Sequence, residues 1–341
     1  MSTSVQPAAK PEASSASSTG GAPTLGDFAN GVIYKQVKKA LSPRKQVLQD
    51  TQPEALHQMR VGYRRVQSAV AVFGCVLKVP KATTLGHMDD GIRRLGRVRD
   101  LDVLQQWLNQ HLPQDALSES EALALATVQQ QLAKVRKRQF NRLRKYLKSD
   151  DYKTLADRLN RWAADPQHRP PAQVPLSLVL PDLILPQLSD LLQHPGWLVG
   201  TRLDKSGLLK PMRRMSLVRI NDCLAEQGTH LHDLRKQVKR LRYELEFLAP
   251  TELGTALADQ VTALRQLQST LGTLQDETIL SRLLVKSLGD DWASQLPTLV
   301  KALEQERRQA WKDWQKQQAQ YLDPTFRQQL RQQVILRSST C

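Results

Sequence analysis

From Leu25 onward the apolar residues recur at every third and fourth position, not at every second. Val128, Leu132, Val135, Phe140, Leu143 and Leu147 form one such stripe, and Leu264, Leu267, Leu271, Leu274 and Ile279 form another. Leu, Gln, Arg, Lys and Ala dominate, all good helix formers, while β-branched and aromatic residues are sparse. Hairpin signals are weak: neither Asn30-Gly31 nor Asp90-Gly91 is flanked on both sides by alternating apolar runs. The pattern predicts an all-α protein.

Proline sets the expected organisation. Seven of the 18 prolines fall between Pro166 and Pro195, a density that argues against a long uninterrupted helix. The reading is a first helical half over about 25–165, a Pro-rich connector over about 166–204 and a second half over about 205–335. Shorter breaks near Lys78 to Gly86 and Leu112 to Ser118 divide the first half, and antiparallel packing of the pieces predicts helical bundles. Residues 1–24 are rich in Ser, Ala, Pro, Thr and Gly and predict a disordered tail. They lack the basic and apolar regions of a secretory signal.

The two halves carry the same motifs in the same order. Leu56-His57-Gln58-Met59-Arg60 with Arg64-Arg65 reappears as Leu231-His232-Asp233-Leu234-Arg235 with Lys239-Arg240, offset by 175 residues. Leu95-Gly96-Arg97-Val98-Arg99-Asp100 reappears as Leu271-Gly272-Thr273-Leu274-Gln275-Asp276, offset by 176. A duplicated helical unit with a pseudo-two-fold axis is the simplest expectation.

On a helix, His57, Arg60 and Arg64 share one face, as do His232, Arg235 and Lys239. Aligned like charges cost a few tenths of a kcal/mol per pair, so such a face needs solvent, acidic neighbours or a bound anion. Asp233, Glu244 and Glu246 can offset the second stripe, whereas between Glu54 and Lys78 the first has no acid. From Lys134 to Lys148 a further basic helix has eight Lys and Arg and no acid, with Arg138, Arg142 and Lys145 on one face. Arg93, Arg94, Arg97 and Arg99 add another cluster. Asp100 and Asp276 are read as orienting neighbouring arginines or capping a turn.

Composition agrees. There are 49 Lys and Arg against 33 Asp and Glu, a net charge of +16, and 40% hydrophobic residues, enough for a core. No stretch approaches the roughly 18 apolar residues of a membrane span. Three cysteines without Cys-x-x-Cys spacing argue against a disulfide framework or a zinc cluster and suit a reducing compartment. Guanidinium groups bind phosphate oxygens bidentately, lysine adds a point charge, and histidine titrates near neutrality. Together they describe a site for a phosphate-bearing polyanion.

These residues resemble the CHAD family, the conserved-histidine α-helical domain. Its first pattern is matched by His57-x-x-Arg60-x-x-x-Arg64-Arg65 and its second by His232-x-x-Arg235-x-x-x-Lys239-Arg240-x-Arg242-Tyr243; both Leu-Gly elements match as well. The resemblance spans about Leu25 to Leu330. It implies two antiparallel four-helix bundles with a basic groove between them, binding of inorganic polyphosphate, and a cytoplasmic place at polyphosphate granules.

By position, His57, Arg60, Arg64 and Arg65 would line one half of the groove, and His232, Arg235, Lys236, Lys239, Arg240 and Arg242 the other. Arg94, Arg97, Arg138 and Arg142 are added from the other basic clusters. Gln67 stands where the family pattern often has another arginine, which implies weaker binding in that half.

Three functions compete. A binding module without cofactor or chemistry is favoured. A polyphosphate hydrolase or phosphotransferase would need metal-holding carboxylates or a phosphate-cradling loop, and no Gly-x-x-x-x-Gly-Lys-Ser/Thr occurs. Nor is Glu244-x-Glu246 followed by the lysine of the Glu-x-Glu-x-Lys motif of the triphosphatase domain often fused to CHAD. A nucleic-acid binder would suit the charge, but aromatics are only 5% and are rarely interleaved with the basic runs.

Overall fold

Short polar residues ahead of the apolar stripes start several helices. Thr24 caps α1 (Leu25–Leu41) by accepting the Asp27 N–H, and Asp27 reaches back to the Thr24 backbone, a reciprocal capping box. Ser118 and Glu121 do the same for α5 (Glu119–Lys148), and the Ser216 hydroxyl accepts from Arg219 N–H at the start of α8 (Leu217–Phe247). Proline opens α3 (Pro53–Phe73), where its missing N–H costs nothing.

The computed structural model describes residues 23–112, 117–212, 214–275 and 277–336. The expected tail up to residue 22, Asp276 and Cys341 lie outside these, as does the Ile279 side chain. The remaining elements are α2 (Arg44–Gln49), α4 (Ala82–His111), α6 (Asp150–Ala164), α7 (Leu176–Leu192), α9 (Glu252–Ala256), α10 (Ala258–Thr273), α11 (Glu277–Leu288), α12 (Trp292–Gln295), α13 (Pro297–Leu322) and α14 (Pro324–Leu336). Strands β1 (Thr201–Leu203) and β2 (Leu209–Pro211) form a two-stranded antiparallel hairpin, with Leu203 opposite Leu209. The protein is all-α apart from this hairpin. Asn30-Gly31 and Asp90-Gly91 both lie inside helices, in α1 and α4.

The Pro-rich segment departs from expectation. Instead of a connector it carries α7, which runs through Pro181 and Pro186. Each interior proline costs about 3 kcal/mol. Against that, Leu176, Leu180, Ile184, Leu188, Leu191 and Leu192 recur at helical spacing and are buried, each contributing about 1.5–3 kcal/mol. The apolar stripe wins over the breakers. Beyond α7, Trp197 is buried and stacks on Trp314 and Tyr321 at centroid distances of 5.4 and 4.6 Å. Gln318 donates to the backbone carbonyls of Trp197 and Val199 at 2.7 and 2.8 Å. This segment is core.

The buried residues fall into two clusters. The larger joins α1, α3, α6, α7, α8, α10 and the C-terminal part of α13. The smaller gathers Leu101, Leu104 and Leu108 of α4, Val128 and Leu132 of α5, Leu283 and Leu284 of α11, and Leu299 of α13. Several polar contacts tie the smaller cluster together and to α8: Trp107 Nε1–H to Glu306 at 2.8 Å, Thr298 N–H to Glu121 at 2.8 Å, and Arg307 to Asn221 at 2.5 Å. No described helix is long and apolar enough to cross a membrane. Cys75 is exposed and Cys223 buried, and both are free thiols.

Candidate phosphate-binding trough

The core-facing stripes of α3 and α8 decide where their charges go. Leu56, Met59, Tyr63 and Val66 are buried on α3, and Leu231, Leu234, Val238 and Leu241 on α8. With those positions inward, the intervening His57, Arg60 and Arg64, and His232, Arg235 and Lys239, point out of the core. They point into the same cavity, of about 1140 Å³. Arg65, Lys236, Arg240 and Arg242 line it too. Ten of the fourteen residues singled out in the sequence are thus brought together.

The Leu-Gly elements pack against the arginines of this motif. A Cβ at Gly272 would sit 2.8 Å from an Arg235 guanidinium nitrogen, and one at Gly96 would touch Arg60 Nε at 3.5 Å. At Gly272 the missing Cβ leaves room for Arg235 of the His-x-x-Arg motif, whereas a Cβ at Gly96 would make only an ordinary contact with Arg60. Three residues past the glycine, each element meets the histidine. His232 Nδ1–H donates to Gln275 at 3.3 Å. His57 instead has the Arg99 charge nearby; burial first, then Arg99, lowers its pKa. Its Nδ1 is buried without a hydrogen-bond partner.

Two regions differ in counter-charge. At one end Glu246 of α8 receives Arg242 at 2.7 Å, Arg265 of α10 at 3.2 Å and Arg65 of α3. Two of these guanidinium groups lie over the Tyr243 ring, with Cζ of Arg242 at 4.5 Å and of Arg65 at 5.5 Å from its centroid. Cation–π contacts of this kind contribute about 0.5–2 kcal/mol. Elsewhere in the trough, Arg60, Arg64, Arg99 and Lys239 have no ion pair among the described residues. Lys239 records that concentration of charge: its pKa is pushed down to about 8, by burial first and then by Arg235, Arg60, Arg64 and Arg242. Helices α3 and α8 both contribute to that list.

Four of the fourteen residues stand elsewhere. Arg94 pairs with Asp90 at 2.6 Å and lies over the Tyr146 ring at 5.0 Å. Arg97 is exposed on α4 away from the trough. Arg138 and Arg142 line a different groove, on α5. Helical spacing alone cannot distinguish a face turned to solvent from one turned into a cavity.

Conversely, the trough recruits Arg99, Trp107, Arg265, Gln268, Glu306 and Arg307, none of them singled out as site residues in the sequence. Arg99 follows the first Leu-Gly element, and that position was its signal; the others belong to no repeated motif. Asp100 lines the trough and its charge acts on Arg64, consistent with an orienting role. Gln67 is held by Asp89.

A family model described as the CHAD domain matches residues 31–285, and the chain belongs to that family. Its fold is similar to the crystal structure of the CHAD domain from the plant Ricinus communis, with 21% identity, 92% of each chain covered and a TM-score of 0.59. It is also similar to PptA from Streptomyces chartreusis, with 20% identity, 85% of this chain and 99% of that one covered, and a TM-score of 0.52. No curated protein matches the chain.

Proposed function

We propose that the trough between α3 and α8 binds inorganic polyphosphate and performs no chemistry on it. The observation that carries this reading is the meeting of Arg60 and Arg64 with Lys239, from two helices, with none of the three in an ion pair among the described residues and only the more distant charges of Asp89 and Asp100 acting on Arg64. Half-buried cations of one sign repel one another, and a multivalent anion offsets that cost. A phosphate chain presents such charges in series, and arginine forks fit its oxygens.

The non-catalytic part rests on the carboxylates. Of the three carboxylates lining the trough, Glu246 is committed to three guanidinium groups, Glu306 accepts from Trp107 and Asp100 lends its charge to Arg64, an arrangement that serves the arginines better than a metal or an attacking water. The cytoplasmic, granule-associated location implied by the family belongs to the same proposal.

Replacing Arg60, Arg64, Arg235 and Lys239 by alanine together tests it. Polyphosphate affinity should fall by about 100-fold or more, since each charge-assisted contact is worth about 1.5–3 kcal/mol, with helical content unchanged. Retained affinity would place the site elsewhere. Release of phosphate from polyphosphate in the presence of Mg²⁺ would overturn the non-catalytic part, and nucleic acid that polyphosphate fails to displace would overturn the choice of ligand.

A further inference from the structure

Arg138 and Arg142 lie outside the trough, but they are not scattered surface charges. Together with Lys134, Lys137 and Lys145 of α5 and Lys286 of α11 they line a separate groove of about 790 Å³. Its other lining residues are neutral, and none of the six cations has an ion pair or side-chain hydrogen bond among the described residues. The contrast within α5 is sharp. Arg136, on another side of the helix, is held by Asp102 at 2.6 Å and Asp50 at 2.7 Å, and these contacts raise its pKa. α5 therefore uses one arginine to fix its place in the fold and leaves a whole face of cations uncompensated.

The groove adjoins the trough through α11. Leu280 of that helix lines the trough and Lys286 lines the groove. They stand six positions apart on the helix, a rise of about 9 Å. Arg282, exposed and one turn before Lys286, shares the Lys286 face and extends the row of cations on the groove side of α11, about 200° around the helix from Leu280. The groove has no aromatic side chain on which a base could stack, so it offers contacts to phosphates alone.

We infer that the α5–α11 groove is a second docking surface for the same polymer, engaged only by polyphosphate chains long enough to leave the trough and reach around α11 to its Arg282–Lys286 face. This rests on the trough reading, and it makes the protein selective for chain length. Short chains would gain only the trough contacts. Long chains would gain a second, tethered set, whose contribution grows with effective concentration and not with any new trough contact.

The test compares tripolyphosphate with long-chain polyphosphate on the full chain and on an Arg138→Glu, Arg142→Glu, Lys286→Glu variant. All three side chains are exposed, so the fold should persist, and circular dichroism checks it. Long-chain affinity should fall about tenfold or more, with a shallower dependence on salt, while tripolyphosphate affinity stays within about twofold. The neutral Gln variant at the same positions should shift in the same direction by less.

An unchanged long-chain affinity would overturn the inference. So would an equal loss for both ligands, which would indicate a general field effect, or a selective loss of duplex nucleic acid with long-chain polyphosphate retained. Failure of the trough reading appears separately, as tripolyphosphate binding that survives the Arg60, Arg64, Arg235, Lys239 quadruple substitution.

Discussion

Helices α3 and α8 carry the same basic motif, yet they handle its charge differently. On α8 acids follow or precede the cations by one turn: Asp233 pairs with Lys236 at 2.9 Å, Glu244 with Arg240 at 3.3 Å and Glu246 with Arg242 at 2.7 Å. On α3 the acid is Glu54 in the first turn, and no acid follows along the helix. Arg65 is compensated only by borrowing Glu246 from α8. Neighbouring acids turn a basic residue into a structural one, while their absence leaves it available to a ligand. The available cations of the trough are therefore concentrated at Arg60, Arg64 and Lys239, not spread along the full motif.

Removing the borrowed acid should break this contrast most strongly. Glu246→Gln leaves Arg65, Arg242 and Arg265 gathered around a side chain that no longer carries charge. Side-chain exposure of Glu246 is 13%, so its three contacts are only partly screened. The unfolding free energy should fall by about 2–4 kcal/mol, and added polyphosphate should restore part of the lost melting temperature. No loss of stability would show that α3 and α8 do not depend on this carboxylate.

A smaller effect of opposite sign is expected at Glu244. Its side chain is almost fully buried, and burial pushes its pKa up to about 7, partly opposed by Arg240. The folded-state value lies above the unfolded one, so stability is greatest in acid and declines as pH rises from about 4.3 toward 7. Glu244→Gln should remove that decline and raise stability by about 1–2 kcal/mol at pH 8, read from denaturant melts at pH 5 and pH 8. A variant that destabilises at both pH values would show that the charge contributes more to holding Arg240 than its burial costs.

The finest probe is the pH dependence of binding. Lys239 is fully protonated well below its pKa of about 8, and a bound phosphate chain would raise that value. Affinity should therefore hold through pH 7 and fall by about three- to tenfold above pH 8; Lys239→Arg should flatten the fall. On the acid side, burial and Arg99 keep His57 neutral to a lower pH than an ordinary histidine. Any gain from its protonation should appear below about pH 6.5, and a plateau across that range in a titration by calorimetry would leave His57 as a neutral donor or packing group.

Much of this arrangement was legible in the sequence because two periodicities agreed. The helical stripe through Leu56, Met59 and Tyr63 fixed which way His57, Arg60 and Arg64 had to point, and the repeat supplied the facing set. The glycines of the Leu-Gly elements were visible as a motif, although the role of Gly272 in admitting Arg235 needed the packing.

What stayed hidden has physical causes. Arg265, Arg307 and Trp107 reach the trough from α10, α13 and α4 by tertiary packing, which leaves no local signature. Arg138 and Arg142 have the right chemistry and spacing, but only the position of α11 shows that their face lies outside the trough. At α7 the prolines gave a local signal opposite to the one that prevailed, because six buried aliphatic side chains outweigh two missing hydrogen bonds.

Trp107 gives the trough an optical property. Its indole N–H is held by Glu306 at the trough wall, and its ring stacks on His111 at 4.4 Å, whereas Trp197, Trp311 and Trp314 are sealed in the core. Trp162 and Trp292, both half-buried, line no part of the trough, so arrival of a dense anion would perturb the fluorescence of the wall indole against a background of five others, and the intrinsic emission of the protein carries a signal of occupancy without any dye.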